Sequence, residues 1–160
     1  MRITFTILFF LIFTAVMAQH PSSSSRFFAL RLKPHEDLKQ QLIAFAKDEK
    51  LKAASIVSGV GSLEQFHLRF ANQENGVLKK GHFEIVSLTG TFSDTSSHLH
   101  LSVSDSAGQT TGGHLLDQNL IYTTAEIVIV ELTDLEFKRE ADATYGYQEL
   151  SIQKRKKNEN

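Results

Sequence analysis

The chain has 160 residues, enough for one domain, and its 17 Lys and Arg against 18 Asp and Glu leave a net charge of −1. This balance lacks the basic surplus of nucleic-acid-binding domains, so nucleic acid is not an expected partner. The absence of cysteine excludes disulfides, a thiol nucleophile and thiolate metal ligands, and leaves histidine and carboxylate side chains as candidate ligands.

The first eighteen residues have the pattern of a secretory signal peptide. Arg2 gives a short positive start, residues 3–16 are almost wholly apolar, and small residues follow before a cleavage site. The alternative is an uncleaved membrane anchor, but the apolar run is shorter than the roughly 20 residues of a spanning helix. We therefore predict a secreted or periplasmic protein with no membrane contact after cleavage. It would begin near Gln19 with a flexible leader over residues 19–25, and the loss of residues 1–18 would change its net charge to −2.

The rest of the chain predicts one helix and a series of strands. Residues 26–32 favour a strand, and Pro34 with the acidic residues after it marks the start of a helix of about 16 residues. This helix carries an apolar stripe at helical spacing, formed by Leu38, Leu42, Phe45 and Ala46. Alternating and β-branched segments predict strands at 54–60, 64–71, 82–92, both arms of a hairpin within 97–116, 123–132, 135–139 and 150–152.

These elements predict an α+β fold, a mostly antiparallel sheet of about seven strands with one main helix. Residues 59–62 are interpreted as a turn between two strands, because they lack the fingerprint and the following helix of a phosphate loop. Gly90 indicates a bulge or a close backbone approach. The domain is expected to span residues 26–152 and to end in a basic disordered tail at 153–160. Since one helix covers only part of such a sheet, we expect other subunits to bury the rest.

Three histidines carry the strongest functional signal. His98 and His100 alternate on one predicted strand, so both rings point to the same face. Residues 105–109 are typical of a tight hairpin turn with Gly108 in the left-handed conformation. This turn pairs His100 directly with His114, and all three rings then share one face of the sheet.

Three neutral imidazoles suit a divalent transition metal, and zinc is the expected occupant. Three protein ligands leave an open position for water or a substrate group, which permits binding of a small ligand or hydrolytic chemistry. The alternative is that the histidines are ordinary polar side chains on a hydrated or subunit-facing surface.

Glu126 is the candidate catalytic residue, because it interrupts an apolar strand and a buried carboxylate needs a partner. It could orient a ligand histidine or act as a general base. The structural alternative, which the sequence favours, is an ion pair with Arg69 or Lys79 within a trimer. Glu84, also among apolar residues, receives the same interpretation. Arg69 could also meet an anionic ligand, although a surface or interface position is more common for an arginine.

The predicted strands and the histidine segment resemble the plant-and-prokaryote-conserved (PPC) domain, which stands alone in bacteria and archaea and follows AT-hooks in nuclear DNA-binding proteins of plants. The resemblance covers residues 26–152 and is carried, in order, by Ser58–Ser62, Leu68–Asn72, Gly81–Thr91, His98–Asp105, Gly112–Leu115, Thr123–Ile127 and Tyr145–Leu150. It implies a homotrimer around an antiparallel sheet. It also implies that the histidine cluster lies near a subunit boundary and can hold a metal.

The chain differs from the plant members of this family in three features. It has a predicted signal peptide, it lacks an Arg-Gly-Arg-Pro AT-hook core, and it has His82 where family members often have arginine. The first two features argue against DNA binding. We therefore expect a secreted trimeric domain whose three-histidine metal site binds a small anionic ligand. A metal-dependent enzyme is the first alternative, and a DNA-binding or interaction module, by family analogy, is the second.

Overall fold

The computed structural model describes residues 20–144 and 146–156, so the predicted signal peptide and residues 157–160 of the predicted tail lie outside the described residues. The described residues form one helix and eight strands: β1 (Ser25–Leu32), α1 (Leu38–Asp48), β2 (Ala54–Arg69), β3 (Val77–Phe92), β4 (Ser97–Ser104), β5 (Thr110–Leu115), β6 (Leu120–Leu132), β7 (Leu135–Ala141) and β8 (Gln148–Lys154). Within these residues, no helix has the length and the apolar character that a membrane crossing requires.

Six of the strands form one antiparallel sheet in the order β1-β6-β2-β3-β4-β5. β5 also pairs with β2, through Leu68 with Leu115 and Arg69 with His114, so strands β2 to β5 close on themselves. β7 and β8 form a separate two-stranded sheet. The predicted α+β class, a mostly antiparallel sheet with one helix, is confirmed.

The helix α1 buries the apolar stripe that its sequence predicts. Leu38, Leu42 and Ala46 are fully buried and share one core with the inward-facing residues of the sheet. Phe45 packs edge-on against Phe28 of β1, with ring centroids 5.2 Å apart. The helix therefore closes the core beside β1 and β6.

The helix is 11 residues long and thus shorter than the predicted 16. Asp37 caps its start, since one side-chain oxygen accepts a hydrogen bond from the Gln40 N–H. At the other end Lys50 adopts a φ of +53°, which α-helical backbone does not allow, and the chain turns into buried Leu51. The Asp37 cap at one end and the positive φ of Lys50 at the other therefore set the length of α1.

The interpretation of residues 59–62 as a turn between strands is wrong, because β2 runs through them without a break. Gly61 has a φ of +137°, and a Cβ atom there would lie 2.1 Å from the Thr124 carbonyl oxygen. The register between β2 and β6 shifts next to Gly61 and again near Leu63. Glycine thus lets one long strand bend and approach β6 closely, which is the role of glycine at a bulge.

The β7–β8 hairpin docks beside the main sheet through a small second core. Leu135 and Phe137 are buried with Ala53, and the Phe137 N–H donates to the Lys52 carbonyl oxygen at 2.9 Å. β8 continues to Lys154, so the last strand extends beyond residue 152, which is where the sequence predicted the domain to end. These contacts hold the hairpin against the main sheet.

Glu131 on β6, which the sequence analysis did not single out, is a buried carboxylate that binds two arginines, one of them close to the end of the described residues. Its side chain is 2% exposed and forms ion pairs with Arg26 at 2.7 Å and with Arg155 at 3.5 Å. Arg155 therefore belongs to the folded domain, although the sequence predicts a disordered tail from residue 153.

Candidate metal centre

The hairpin that carries the histidines has the turn predicted from its sequence. The Asp105 N–H donates to the Gln109 carbonyl oxygen at 3.1 Å, the Gly108 N–H donates to the Asp105 carbonyl at 2.9 Å, and Gly108 has a φ of +77°. One oxygen of the Asp105 carboxylate also accepts the N–H groups of Ala107 and Gln109. These bonds set the register of β4 against β5.

The predicted register is confirmed, since His100 on β4 lies directly opposite His114 on β5. His98 lies two residues before His100, on the same face. The Nε2 atoms of His98 and His100 are 3.2 Å apart. The ring centroid of His114 is 5.2 Å from that of His98 and 5.7 Å from that of His100. The structure therefore brings all three predicted ligands into one cluster.

β3 supports the cluster from its other side. Gly90 lies opposite Leu99, and a Cβ atom on Gly90 would be 2.1 Å from the His98 carbonyl oxygen. The prediction of a close backbone approach at Gly90 is thus confirmed. This contact holds the backbone of β4 at the first histidine close to β3.

The environment keeps two of the three imidazoles neutral. Burial, followed by the charges of His98 and Arg69, lowers the pKa of His114 to about 4. Burial, followed by the charges of Arg139 and His100, lowers the pKa of His98. A neutral imidazole has a free nitrogen lone pair, so both side chains are in the form that binds a metal at neutral pH.

The donor atoms fit a transition metal ion. One nitrogen from each histidine lies within 4.8 Å of the nitrogens of the other two. Zinc–nitrogen bonds of 2.0–2.1 Å place tetrahedral donors about 3.4 Å apart, and the His98–His100 separation of 3.2 Å is close to this value. Three imidazoles without a thiolate suit zinc, copper, nickel or iron(II).

A cavity of about 290 Å³ adjoins the histidines on the side of the β7–β8 hairpin. Its wall includes His98 and His114 from the cluster, Arg69 from β2, and Arg139 and Glu149 from the hairpin, together with Ser97, Tyr147 and Gln148. Arg139 and Glu149 were missed by the sequence analysis, because no local pattern shows where a terminal hairpin docks. Arg69, considered there as a partner for an anion, does line this cavity.

Glu126 lies apart from the histidines within the single chain. It is on β6, and two strands, β2 and β3, separate β6 from β4. Its side chain is exposed, as is that of Glu84, whereas the sequence analysis treated both as buried carboxylates. The part proposed for Glu126 in catalysis stays a prediction, and Glu149 is the carboxylate that shares a cavity with the cluster.

His82 has a different environment from the cluster. Its ring stacks on Tyr122 of β6, with centroids 4.1 Å apart. This position, where the resemblance leads one to expect arginine, lies on the outward side of β3 beside another cavity of about 190 Å³. His82 therefore lies outside the cluster of possible metal ligands.

The match to known proteins supports the same fold. Residues 19–133 match the profile of the Plants and Prokaryotes Conserved (PCC) domain. The bifunctional protein GlmU of Synechococcus sp. strain JA-3-3Ab is 46% identical over 134 residues, which are 84% of this chain and 22% of that protein. The chain thus spans about a fifth of the length of this curated relative.

Two solved structures are similar over nearly their whole length. A hypothetical protein from Salmonella enterica is 44% identical with a TM-score of 0.84, and the match covers 86% of this chain and 99% of that one. A metal-containing protein from Archaeoglobus fulgidus is 26% identical with a TM-score of 0.67, covering 79% and 93% of the two chains. With the family profile matching most of its length, the chain belongs to the Plants and Prokaryotes Conserved domain family.

Proposed function

We propose that this chain is a metal-dependent binding domain, in which His98, His100 and His114 hold a divalent transition metal and a small anionic ligand takes the remaining coordination position. The observation that carries the proposal is the cluster of three donor nitrogens within 4.8 Å of one another. The similarity to a metal-containing protein from Archaeoglobus fulgidus supports it. Zinc is the first candidate, because imidazole-only sites of this kind suit it.

The protein residues have separate parts in this function. The three imidazoles hold the ion, and the hairpin turn at Asp105 keeps them in register. The metal, when bound, supplies a Lewis acid that attracts an anionic oxygen. The cavity beside the cluster gives a ligand access from the side of the β7–β8 hairpin.

Metal analysis of the purified, tag-free protein tests this proposal. We expect about one zinc per chain after zinc loading and dialysis, and less than a tenth of that in His100→Ala and in His114→Ala, since two imidazoles hold zinc weakly. His82→Ala is the matched control, because it removes a histidine outside the cluster and should leave the zinc content unchanged. A wild-type protein with less than a tenth of a metal per chain after loading would refute the proposal.

A metal-dependent enzyme is the second candidate, and the position of Glu149 favours it. This carboxylate lines the same cavity as two of the histidines, where it could accept a proton from a substrate or a water molecule. Under this alternative, Glu149→Gln abolishes turnover of a hydrolysable substrate while the zinc content stays at one per chain. Under the binding function, the zinc-loaded protein shows no turnover that depends on Glu149.

We also propose that three copies of the chain assemble into a ring and that residues 1–18 direct export to the periplasm or the exterior. The exposed apolar residues on the outward side of β2, β3 and β6 support assembly. The apolar run at residues 3–16 supports export. Recovery of mature protein whose first residue lies near Gln19 tests the second point. DNA binding remains a weaker alternative, because the exported chain has a net charge of −2.

A further inference from the structure

The cavity beside the histidines contains two cationic side chains that metal binding does not need. Both line the cavity, Arg69 from the main sheet and Arg139 from the β7–β8 hairpin. In the described residues neither guanidinium forms an ion pair with a carboxylate, although Glu149 lines the same cavity. Both therefore retain donors for an anion that enters the cavity.

Arg69 is placed next to one ligand histidine by strand pairing. Its Cα lies directly opposite that of His114 where β2 meets β5, so the two side chains project from the same face. Its Nη1 atom donates to the Gln73 carbonyl oxygen at 3.3 Å, which is a long bond to a neutral partner. The guanidinium is thus positioned beside the cluster while most of its donors remain available.

Arg139 is placed next to a second ligand histidine by a side-chain contact. Its Nη2 atom donates to the Thr91 hydroxyl oxygen at 3.2 Å, and Thr91 pairs with His98 across the β3–β4 ladder. The buried residues Leu135 and Phe137 anchor the hairpin that carries Arg139. Two arginines are therefore placed beside the histidine cluster: Arg69 as the strand partner of His114, and Arg139 through Thr91, the strand partner of His98.

The hairpin lies outside the segment that matches the family profile. That match ends at residue 133, and β7 begins at Leu135. The three histidines and Arg69 lie inside the matched segment, whereas Arg139 and Glu149 lie beyond it. The hairpin wall can therefore give the metal site a ligand preference that the matched segment alone does not specify.

A second cavity near the hairpin, of about 620 Å³, is larger and is also lined by cations, but several of them are paired with carboxylates. There the Lys52 ammonium pairs with Asp94 at 2.7 Å and Arg155 pairs with the buried carboxylate of Glu131. Its lining also includes two more acidic residues. Those two cations already have carboxylate partners, and this cavity has no histidine in its lining, so the smaller cavity is the one that can serve a ligand of the metal.

We propose that Arg69 and Arg139 form a carboxylate-binding subsite beside the metal centre, so that the ligand of this domain is a small dicarboxylic acid. One carboxylate would meet the metal, and the second would be held between the two guanidinium groups, whose planar donor edges match a carboxylate. The volume of about 290 Å³ lies at the lower end of the range for small-molecule pockets, which suits a short-chain acid. This inference rests on the proposed metal-binding function.

Isothermal titration of the zinc-loaded full chain with succinate tests the subsite. We expect Arg69→Gln and Arg139→Gln each to weaken succinate binding by about tenfold or more, because each removes charge-assisted hydrogen bonds. Lys138→Gln is the matched control: it removes a cation from the same strand, but its Nζ bonds the Gln153 side chain and it lines the other cavity, so succinate binding should not change. Succinamate, with one carboxylate replaced by an amide, should bind the wild type more weakly than succinate.

The zinc content of every protein is measured beside the titration, which separates two kinds of failure. A wild type that holds zinc but does not bind succinate, or variants that bind it as the wild type does, would overturn the subsite and leave the metal function intact. Inorganic phosphate bound more tightly than succinate, with the same dependence on both arginines, would overturn the choice of carboxylate. If the wild type holds no zinc, the proposed function fails and the subsite assignment falls with it.

Discussion

The fold changes the proton chemistry of His114. Its pKa falls from 6.5 to about 4, chiefly because the ring is partly buried, so it stays neutral where an exposed histidine becomes charged. Between these two pH values the unfolded chain takes up a proton at this position and the folded chain does not. The contribution of this group to the free energy of unfolding is therefore fully present above pH 6.5, and it declines as the pH drops towards 4.

This pKa shift predicts that the metal-free protein loses stability on mild acidification. Urea unfolding at pH 7 and at pH 5 should show a smaller free energy of unfolding at the lower pH. His114→Gln has no ionisable group at this position, so its loss over the same interval should be smaller. Equal losses in the two proteins would show that His114 is not held in its neutral form by the fold.

The two glutamates of β6 show what strand periodicity can and cannot predict. Ala125, Ile127 and Ile129 point inward and Glu131 continues their alternation, which leaves Glu126 on the outward face. In the sequence, apolar residues occupy both faces of this segment, so the pattern does not show which residues point inward. Glu126 was therefore singled out, and the buried Glu131 was not.

The histidines were predictable because one turn sets their register. Arg139 and Glu149 were not, because their positions depend on how a distant hairpin docks.

Among the elements, β2 shows how a long strand can depend on a single glycine. Gly61 allows this strand to continue across the sheet while the backbone passes within contact of Thr124 on β6. A Gly-x-Gly segment is compatible with a turn as well as with a bulge in a long strand, and the sequence alone does not distinguish them. Pairing with β6, a tertiary contact, decides the outcome here. Local patterns did predict the helix face and the β4–β5 turn, since both depend on residues close in sequence.

Gly61→Ala should therefore destabilise the protein by about 2–4 kcal/mol. The new Cβ would meet the Thr124 carbonyl at 2.1 Å, and the φ of +137° is strained for alanine. Gly108→Ala is the control: its φ of +77° is also positive, but no atom lies within 4 Å of the added Cβ, so we expect a loss of about 1 kcal/mol. Denaturant unfolding compares the two variants, and equal losses would show that the contact with β6 adds nothing.

At the scale of the whole molecule, one outward face of the sheet exposes several large apolar side chains. Val57 and Val60 of β2 and Val86 of β3 are 54%, 53% and 58% exposed, and Tyr122 of β6 is 41% exposed. The helix belongs to the inward core, so it leaves these residues uncovered. A second copy of the same chain would bury them. Repetition of one such contact around a threefold axis closes a ring, in agreement with the proposed trimer.

Val60→Lys and Val86→Lys test this assembly. If the face lies between subunits, each lysine places a charge in an apolar contact, and its desolvation should shift the protein from trimer to monomer. Ile152→Lys is the matched control, because Ile152 is similarly exposed, at 47%, but lies on β8 of the separate sheet; it should leave the trimer intact. Analytical ultracentrifugation measures the mass of each protein. A monomeric wild type would refute the trimer, and variants that stay trimeric would place the subunit contact on another surface.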